Sequence, residues 1–239
     1  MTLCRHVPEQ WIRTPSVHTI LMACFMIMLS GCSIPYAKTI SQYEKAAICC
    51  SSMYEFTFET LQVGYSKSFN MNEKSPAYQF ITGKSYFKAF LLSQSFYPYV
   101  VTVTSYMVGD TIDSAYIFCP QIITLNEEHE PIRSTNPNNL KLIKAGFFET
   151  AKETWGLMYK LEVELPFTED NKTEKYMIVL TTDELLRAKT SLSTLRTVPI
   201  VFPGVVGVVP VGTREVLIPH SPAGHIKITL DRKGKGATP

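Results

Sequence analysis

From Tyr54 onward the chain alternates apolar and polar side chains with a period of two. Tyr54, Phe56 and Phe58 interleave with Glu55, Thr57 and Glu59; later Leu157, Tyr159, Leu161, Val163 and Leu165 interleave with Met158, Lys160, Glu162 and Glu164. Successive side chains of a strand point to opposite faces, so the pattern predicts strands buried on one side. Similar runs lie at Phe80 and at residues 86–91, 99–106, 115–125, 176–180, 215–218 and 225–230. Turn-forming clusters separate them, at Gly83, Gly109-Asp110, Asn136-Pro137-Asn138-Asn139, Glu169-Asp170-Asn171 and Pro222-Ala223-Gly224. Many short strands at such spacing predict an all-β fold, an antiparallel β-sandwich of jelly-roll type, over residues 53–230.

Two helices interrupt the strand pattern. Ser41-Gln42-Tyr43-Glu44 has the S-x-x-E form of a capping box and predicts a short helix ending near Cys49, within a tether of residues 32–52. Thr181-Thr182-Asp183-Glu184 leads into Leu185-Leu186-Arg187-Ala188 in the same way. Residues 198–211 are rich in Val, Pro and Gly and carry no charge; Pro199, Pro203 and Pro210 argue against a central strand, so the segment reads as a loop packed over a sheet, or else as an exposed partner surface. Residues 231–239, with Arg232, Lys233 and Lys235, read as a solvated, disordered basic tail.

The N-terminus follows another rule. Arg5 and Arg13 precede an apolar run at residues 20–29, which ends in Ser30-Gly31-Cys32. Basic residues, a short apolar stretch and small residues at a cut describe a secretory signal peptide, and the run falls short of the roughly 20 residues a membrane-spanning helix needs. Leu29-Ser30-Gly31-Cys32 resembles the bacterial lipobox, which implies removal of residues 1–31 and acylation of Cys32. Ser33 after that cysteine favours the outer membrane, with the protein on its inner, periplasmic leaflet. Each buried CH₂ of an acyl chain adds about 0.8 kcal/mol to anchoring.

Composition narrows the chemistry. With 45% hydrophobic and 18% charged residues among 239, the chain can bury a sizeable core, and a net charge of +2 offers no footprint for nucleic acid. Three cysteines remain beyond Cys32: Cys49, Cys50 and Cys119. Either Cys49 and Cys50 pair with each other, or one of them reaches Cys119; either bond is structural, since redox pairs take the form C-x-x-C. No zinc spacing, G-x-S-x-G elbow or H-E-x-x-H motif occurs, so no catalytic residue, metal site or cofactor is expected. Gly83-Lys84-Ser85 copies the end of a phosphate loop, but Tyr78 stands where the first glycine is needed, and the stretch reads as a hairpin turn. His129, among Glu127, Glu128 and Glu130, reads as solvated; His220 and His225 flank a Pro-Gly turn; Glu162 and Glu164 share the polar face of a strand. For ligand binding the aromatic residues Trp155, Tyr97 and Tyr99 are the candidates, because ring faces stack on pyranoses.

Cys49-Cys50-Ser51-Ser52, the stretch 77–90 (AYQFITGKSYFKAF), Lys175-Tyr176-Met177-Ile178-Val179-Leu180-Thr181-Thr182 and the closing IPHSPAGHIKI of residues 218–228 resemble the maltose-operon periplasmic protein (MalM) family over about residues 49–230. The resemblance implies a periplasmic, non-enzymatic accessory protein associated with maltose or maltodextrin uptake. Its partners would be the membrane, through Cys32, and a maltodextrin. The lipobox suggests a lipoprotein branch. The alternative is a structural or assembly lipoprotein that binds another envelope protein through residues 198–211.

Overall fold

The computed structural model describes residues 35–144, 159–202 and 205–232. The expected signal peptide with Cys32, the aromatic Trp155 and the tail beyond Arg232 lie outside the described residues. The described residues belong to one compact unit.

It opens with helix α1 (Tyr36–Lys45), a 3₁₀ turn (Met53–Glu55), and strands β1 (Phe58–Thr60) and β2 (Ser66–Met71). Next come the hairpin β3 (Ala77–Phe80) and β4 (Gly83–Tyr86), then β5 (Lys88–Leu91), β6 (Tyr99–Val108), β7 (Tyr116–Phe118) and β8 (Gln121–Leu125). β9 (Pro131–Ser134), β10 (Lys141–Lys144), β11 (Tyr159–Phe167) and β12 (Tyr176–Leu180) precede helix α2 (Asp183–Arg187). The chain closes with β13 (Lys189–Phe202), β14 (Val205–Ser221) and β15 (Gly224–Arg232).

The expected all-β sandwich is present, with two sheets facing each other. One runs β1-β5-β12-β8-β9; in the other, β6 lies between β11 and β15, with β10 outside β11 and β2 outside β15. Pairing is antiparallel throughout except β1 with β5 and β7 with β14, which are parallel, so both sheets are mixed. The interlayer core is drawn from both: Phe90, Ile122, Met177 and Val179 from the first, Val101, Val103, Val163, Ile226 and Ile228 from the second. β15 shows the alternation of a half-buried strand, whereas Met177, Ile178, Val179 and Leu180 of β12 are all buried. β12 is continuous because its sheet is covered twice, by the core on one face and by Phe56, Phe80 and Phe87 on the other.

One edge of the sandwich is closed by a charge pair. Arg133 of β9 donates from Nη2 and Nε to Glu174 Oε2 at 2.9 and 3.3 Å and from Nη1 to Pro166 O of β11 at 3.1 Å, while its guanidinium lies 5.0 Å from the Phe167 ring centre. Glu174 is only 2% exposed, and Asn171 Nδ2 occupies its other oxygen at 2.8 Å. The pair therefore ties one sheet to the other across the rim.

Several expectations are corrected. α1 begins at Tyr36, after Pro35, and ends at Lys45, so Ser41 sits mid-helix and caps nothing. Tertiary contacts of Tyr36, Thr39 and Tyr43, at i, i+3 and i+7, set this register in place of the local capping signal. Much of the expected tether is thus docked helix. Tyr54 belongs to a 3₁₀ turn, and the strand starts only at Phe58. Residues 198–202 and 205–211 are strands, not loop: they belong to the paired β13 and β14, in which Val198 pairs with Val209, Pro199 with Val208 and Thr197 with Pro210. A proline fits a two-stranded ribbon when its nitrogen faces out of the ladder, so these positions tolerate it. The Thr182 cap of α2 stands as expected, accepting from Leu185 N at 3.2 Å.

Candidate functional site

The sequence candidates scatter. Tyr99 is wholly buried, its ring stacked between Tyr97 at 5.2 Å and Phe167 at 4.9 Å, and its hydroxyl donates to Ser93 O at 2.9 Å. Both faces of that ring are occupied by protein, so it presents no stacking surface. Tyr97, half-buried beside it, precedes Pro98 through a cis peptide. Trp155, the third candidate, lies outside the described residues.

The remaining chemistry resolves case by case. Cys49 and Cys50 close a disulfide with each other, and Cys119 is a buried free thiol whose pKa burial pushes up to about 12. The Gly83-Lys84-Ser85 stretch is strand β4, and the two-residue turn before it is Ile81-Thr82. Lys84 Nζ donates to Glu44 O and Ala46 O, both at 3.0 Å, so it caps the carbonyl end of α1. Gly83 has φ +116°, and a side chain there would collide with the Asp183 carboxylate. Glu164 pairs with Lys141, and Glu162 with Lys160, across the sheet face. His129, expected in solvent, is instead half-buried, stacked on Tyr176 at 4.4 Å with the tilted Tyr54 ring at 4.3 Å. Among the described residues no group of three His, Cys, Asp or Glu could hold a metal, and no helix is long and apolar enough to cross a membrane.

A pocket that the sequence did not single out lies at one end of the sandwich. It has a volume of about 330 Å³ and is walled by Thr39 and Gln42 of α1, Asn70 to Glu73 at the end of β2, Tyr86 of β4, Val108 of β6, Tyr116 of β7 and Ala223 to His225 entering β15. Topology explains the gap: β6 leaves β15 after Tyr106 and pairs instead with β7 from Met107, so the sheet splits there. α1 roofs the opening. Tyr36 Oη donates to His220 O at 3.1 Å, Tyr43 Oη donates to Lys84 O, and the Tyr43 ring stands edge-on to Tyr86 at 5.5 Å. Gly224 is required here, since a Cβ would come within 2.7 Å of Phe118 Cβ.

The pocket surface is more apolar than polar, and its polar groups are mostly uncharged. His225 Nδ1 and Asn70 Oδ1 are 2.8 Å apart, and because the amide oxygen can only accept, the imidazole carries its proton on Nδ1. Burial raises the Tyr116 pKa, against the hydrogen bond with Thr39; burial and the nearby Glu73 carboxylate raise that of Tyr86. Both phenols are therefore neutral donors. Tyr86 is 1% exposed, and its hydroxyl has no hydrogen-bond partner among the described residues. An unsatisfied buried hydroxyl costs about 1–3 kcal/mol, and Tyr86, whose hydroxyl is in that state, is one of the residues that wall the pocket. Among the described residues, Glu73 is the only carboxylate in the wall. Amides, phenols and an imidazole with an apolar floor of Met71 and Val108 suit a neutral ligand rich in hydroxyls.

Sequence reasoning missed this site because its groups come from six separate segments and Asn70, Asn72 and Gln42 carry no motif. The adjacent hint was the aromatic pair Tyr43 and Tyr86, which reads as ordinary core.

Comparison with known proteins adds one match. The family model described as maltose operon periplasmic protein precursor (MalM) matches residues 82–230, more than half of the chain. It begins in the β3–β4 turn and takes in Tyr86, Val108, Tyr116 and the 223–225 wall of the pocket, whereas α1 and β2 lie before it. No curated protein and no solved structure matches the chain.

Proposed function

The chain belongs to the maltose operon periplasmic protein family, and on that premise we propose that it is a non-enzymatic accessory protein of maltodextrin uptake that binds a neutral oligosaccharide in the end pocket. The family name ties its members to the periplasm and to the maltose operon. The single observation that carries the binding role is Tyr86, a residue of the pocket wall whose buried hydroxyl has no partner among the described residues and which stands beside amides and a second neutral phenol. A hexose hydroxyl can accept from it while neighbouring amides donate and accept in turn. Glycoside hydrolysis needs two carboxylates, and among the described residues of the wall Glu73 is the single one, which supports binding without turnover.

The same reading includes a lipid anchor at Cys32 in the inner leaflet of the outer membrane. Extended chain from Cys32 to Tyr36 reaches about 14 Å, so acylation would keep α1, and the pocket it roofs, close to the bilayer. Mass spectrometry of the mature N-terminus tests the anchor: a triacylated Cys32 is expected, and an unmodified residue overturns it. Calorimetric titration of the purified protein with maltose, maltotriose and maltoheptaose tests the binding role. Saturable heat is expected with the oligosaccharides, and no heat with any of them overturns it.

A second reading is favoured by the ribbon of β13 and β14, where Leu195 is 69%, Val211 55% and Leu217 56% exposed. An assembly lipoprotein would dock another envelope protein there. Site-specific crosslinking from Leu195 and Val211 in intact cells tests it; recovery of uncrosslinked protein alone rejects it.

A further inference from the structure

The Cys49–Cys50 bridge has no role in holding the fold. A disulfide stabilises mainly by closing a loop in the unfolded chain, and the gain grows with the number of residues enclosed. A bond between neighbours encloses none. The segment is fixed by other means: Cys49 N donates to Ala77 O at 2.8 Å, and Ile48 bridges to Ala77 in parallel.

What the bridge does is line a cavity. A groove of about 620 Å³ runs beside it, with Pro76 and the stacked pair Phe56 and Phe87, 4.1 Å between ring centres, supplying the rest of the apolar wall. Disulfide sulfur is apolar and polarizable, and in an oxidising compartment the bond puts a flat unreactive surface in place of two ionisable thiols, with Cys49 exposed and Cys50 half-buried. The polar wall carries both signs: Glu55, Glu59 and Lys88. Its acceptors are held in place. Glu55 takes hydrogen bonds from the Ser51 amide and hydroxyl, and Glu59 from Tyr65 Oη at 2.8 Å and Lys67 Nζ at 2.7 Å. Two carboxylates disfavour an anion and Lys88 disfavours a cation, whereas a hydroxyl both donates and accepts and finds a partner on either. An apolar face opposite fixed polar groups is the pattern a pyranose ring presents in reverse, with C–H bonds on one face and hydroxyls around the edge.

We propose that this groove is a second ligand site, separate from the end pocket, which takes a hexopyranose unit of a neutral oligosaccharide with one sugar face on the Cys49–Cys50 bridge. Its capacity falls within the usual range of about 300–1,000 Å³ for small-molecule sites.

The test compares the purified full-length protein with its C49S/C50S and Y86F variants, each titrated calorimetrically with maltoheptaose and melted without ligand. C49S/C50S is expected to weaken binding about fivefold or more while leaving Tm within about 2 °C of wild type, because the bridge encloses no loop. E59Q, which keeps the shape and removes the charge, is expected to weaken it by a smaller factor. Unchanged affinity in C49S/C50S overturns the groove, even when Y86F loses binding and so supports the end pocket. Lost affinity in C49S/C50S with Y86F unaffected upholds the groove and overturns the pocket. No binding by the wild-type protein overturns both.

Discussion

The interior between the two sheets and the pocket at their end are built from the same strands to opposite standards. Between the sheets, Phe90, Val101, Val103, Met177, Ile226 and Ile228 are fully buried, and the charge pair at the rim has partners for both its ions. At the end, β6 changes partner, a glycine replaces a side chain, and the Tyr86 hydroxyl is left without a bond. Ser105 of β6, Gln121 of β8, Tyr97 and Thr181 also bury a polar atom without a partner among the described residues, so what sets Tyr86 apart is its place in the pocket wall.

The contrast can be broken first at the sealed side. Phe90 touches Phe69 and Tyr65 across the core, at 5.9 and 6.4 Å between ring centres, so Phe90→Ala is expected to cost about 3–5 kcal/mol in urea unfolding. A cost under about 1 kcal/mol would mean that the layers do not pack as described. Arg133→Ala strands the carboxylate of Glu174 at 2% exposure and is expected to cost about 3 kcal/mol. The double variant R133M/E174L should recover most of that loss, because it removes the charge along with its partner.

His220 sharpens the comparison from below the pocket. It is buried, with Nδ1 donating to Leu185 O at 2.7 Å and Nε2 accepting from Thr190 Oγ1 at 2.8 Å, and desolvation lowers its pKa from 6.5. The unfolded chain therefore binds a proton at a higher pH than the folded one. Stability is complete above about pH 6.5 and falls as the pH drops from there through the folded-state value. Thermal melts between pH 7.5 and 5 should show this slope, and His220→Gln should flatten it. A smaller effect is expected at Thr182, whose hydroxyl caps α2: Thr182→Ala should cost about 1 kcal/mol.

How far the sequence carried this picture depends on the range of the interactions. Period-two alternation located β6, β11 and β15, since burial on one face is written in neighbouring residues. It could not reveal that β12 is covered on both faces, nor that Tyr54 belongs to a turn, because both follow from distant packing. The prolines at 199 and 210 argued correctly against a central strand and incorrectly against any strand, because a two-stranded ribbon has only edges. The capping box at Ser41 lost to contacts that α1 makes with residues far along the chain. The aromatic cluster of Tyr97 and Tyr99 was legible as core or edge packing, which holds for buried Tyr99 and half-buried Tyr97, but the pocket itself was illegible because α1, β2, β4, β6, β7 and β15 meet there only in space.

The central claim is that Tyr86 keeps its hydroxyl for a ligand and not for the fold. The most direct measurement is the melting temperature of wild type and Tyr86→Phe, each with and without saturating maltotriose. The account predicts that the phenylalanine protein melts higher when empty, by the order of 1 kcal/mol released from the unpaired hydroxyl, and gains less than wild type from the sugar. A variant that melts lower when empty, or that gains as much from the sugar, would contradict it.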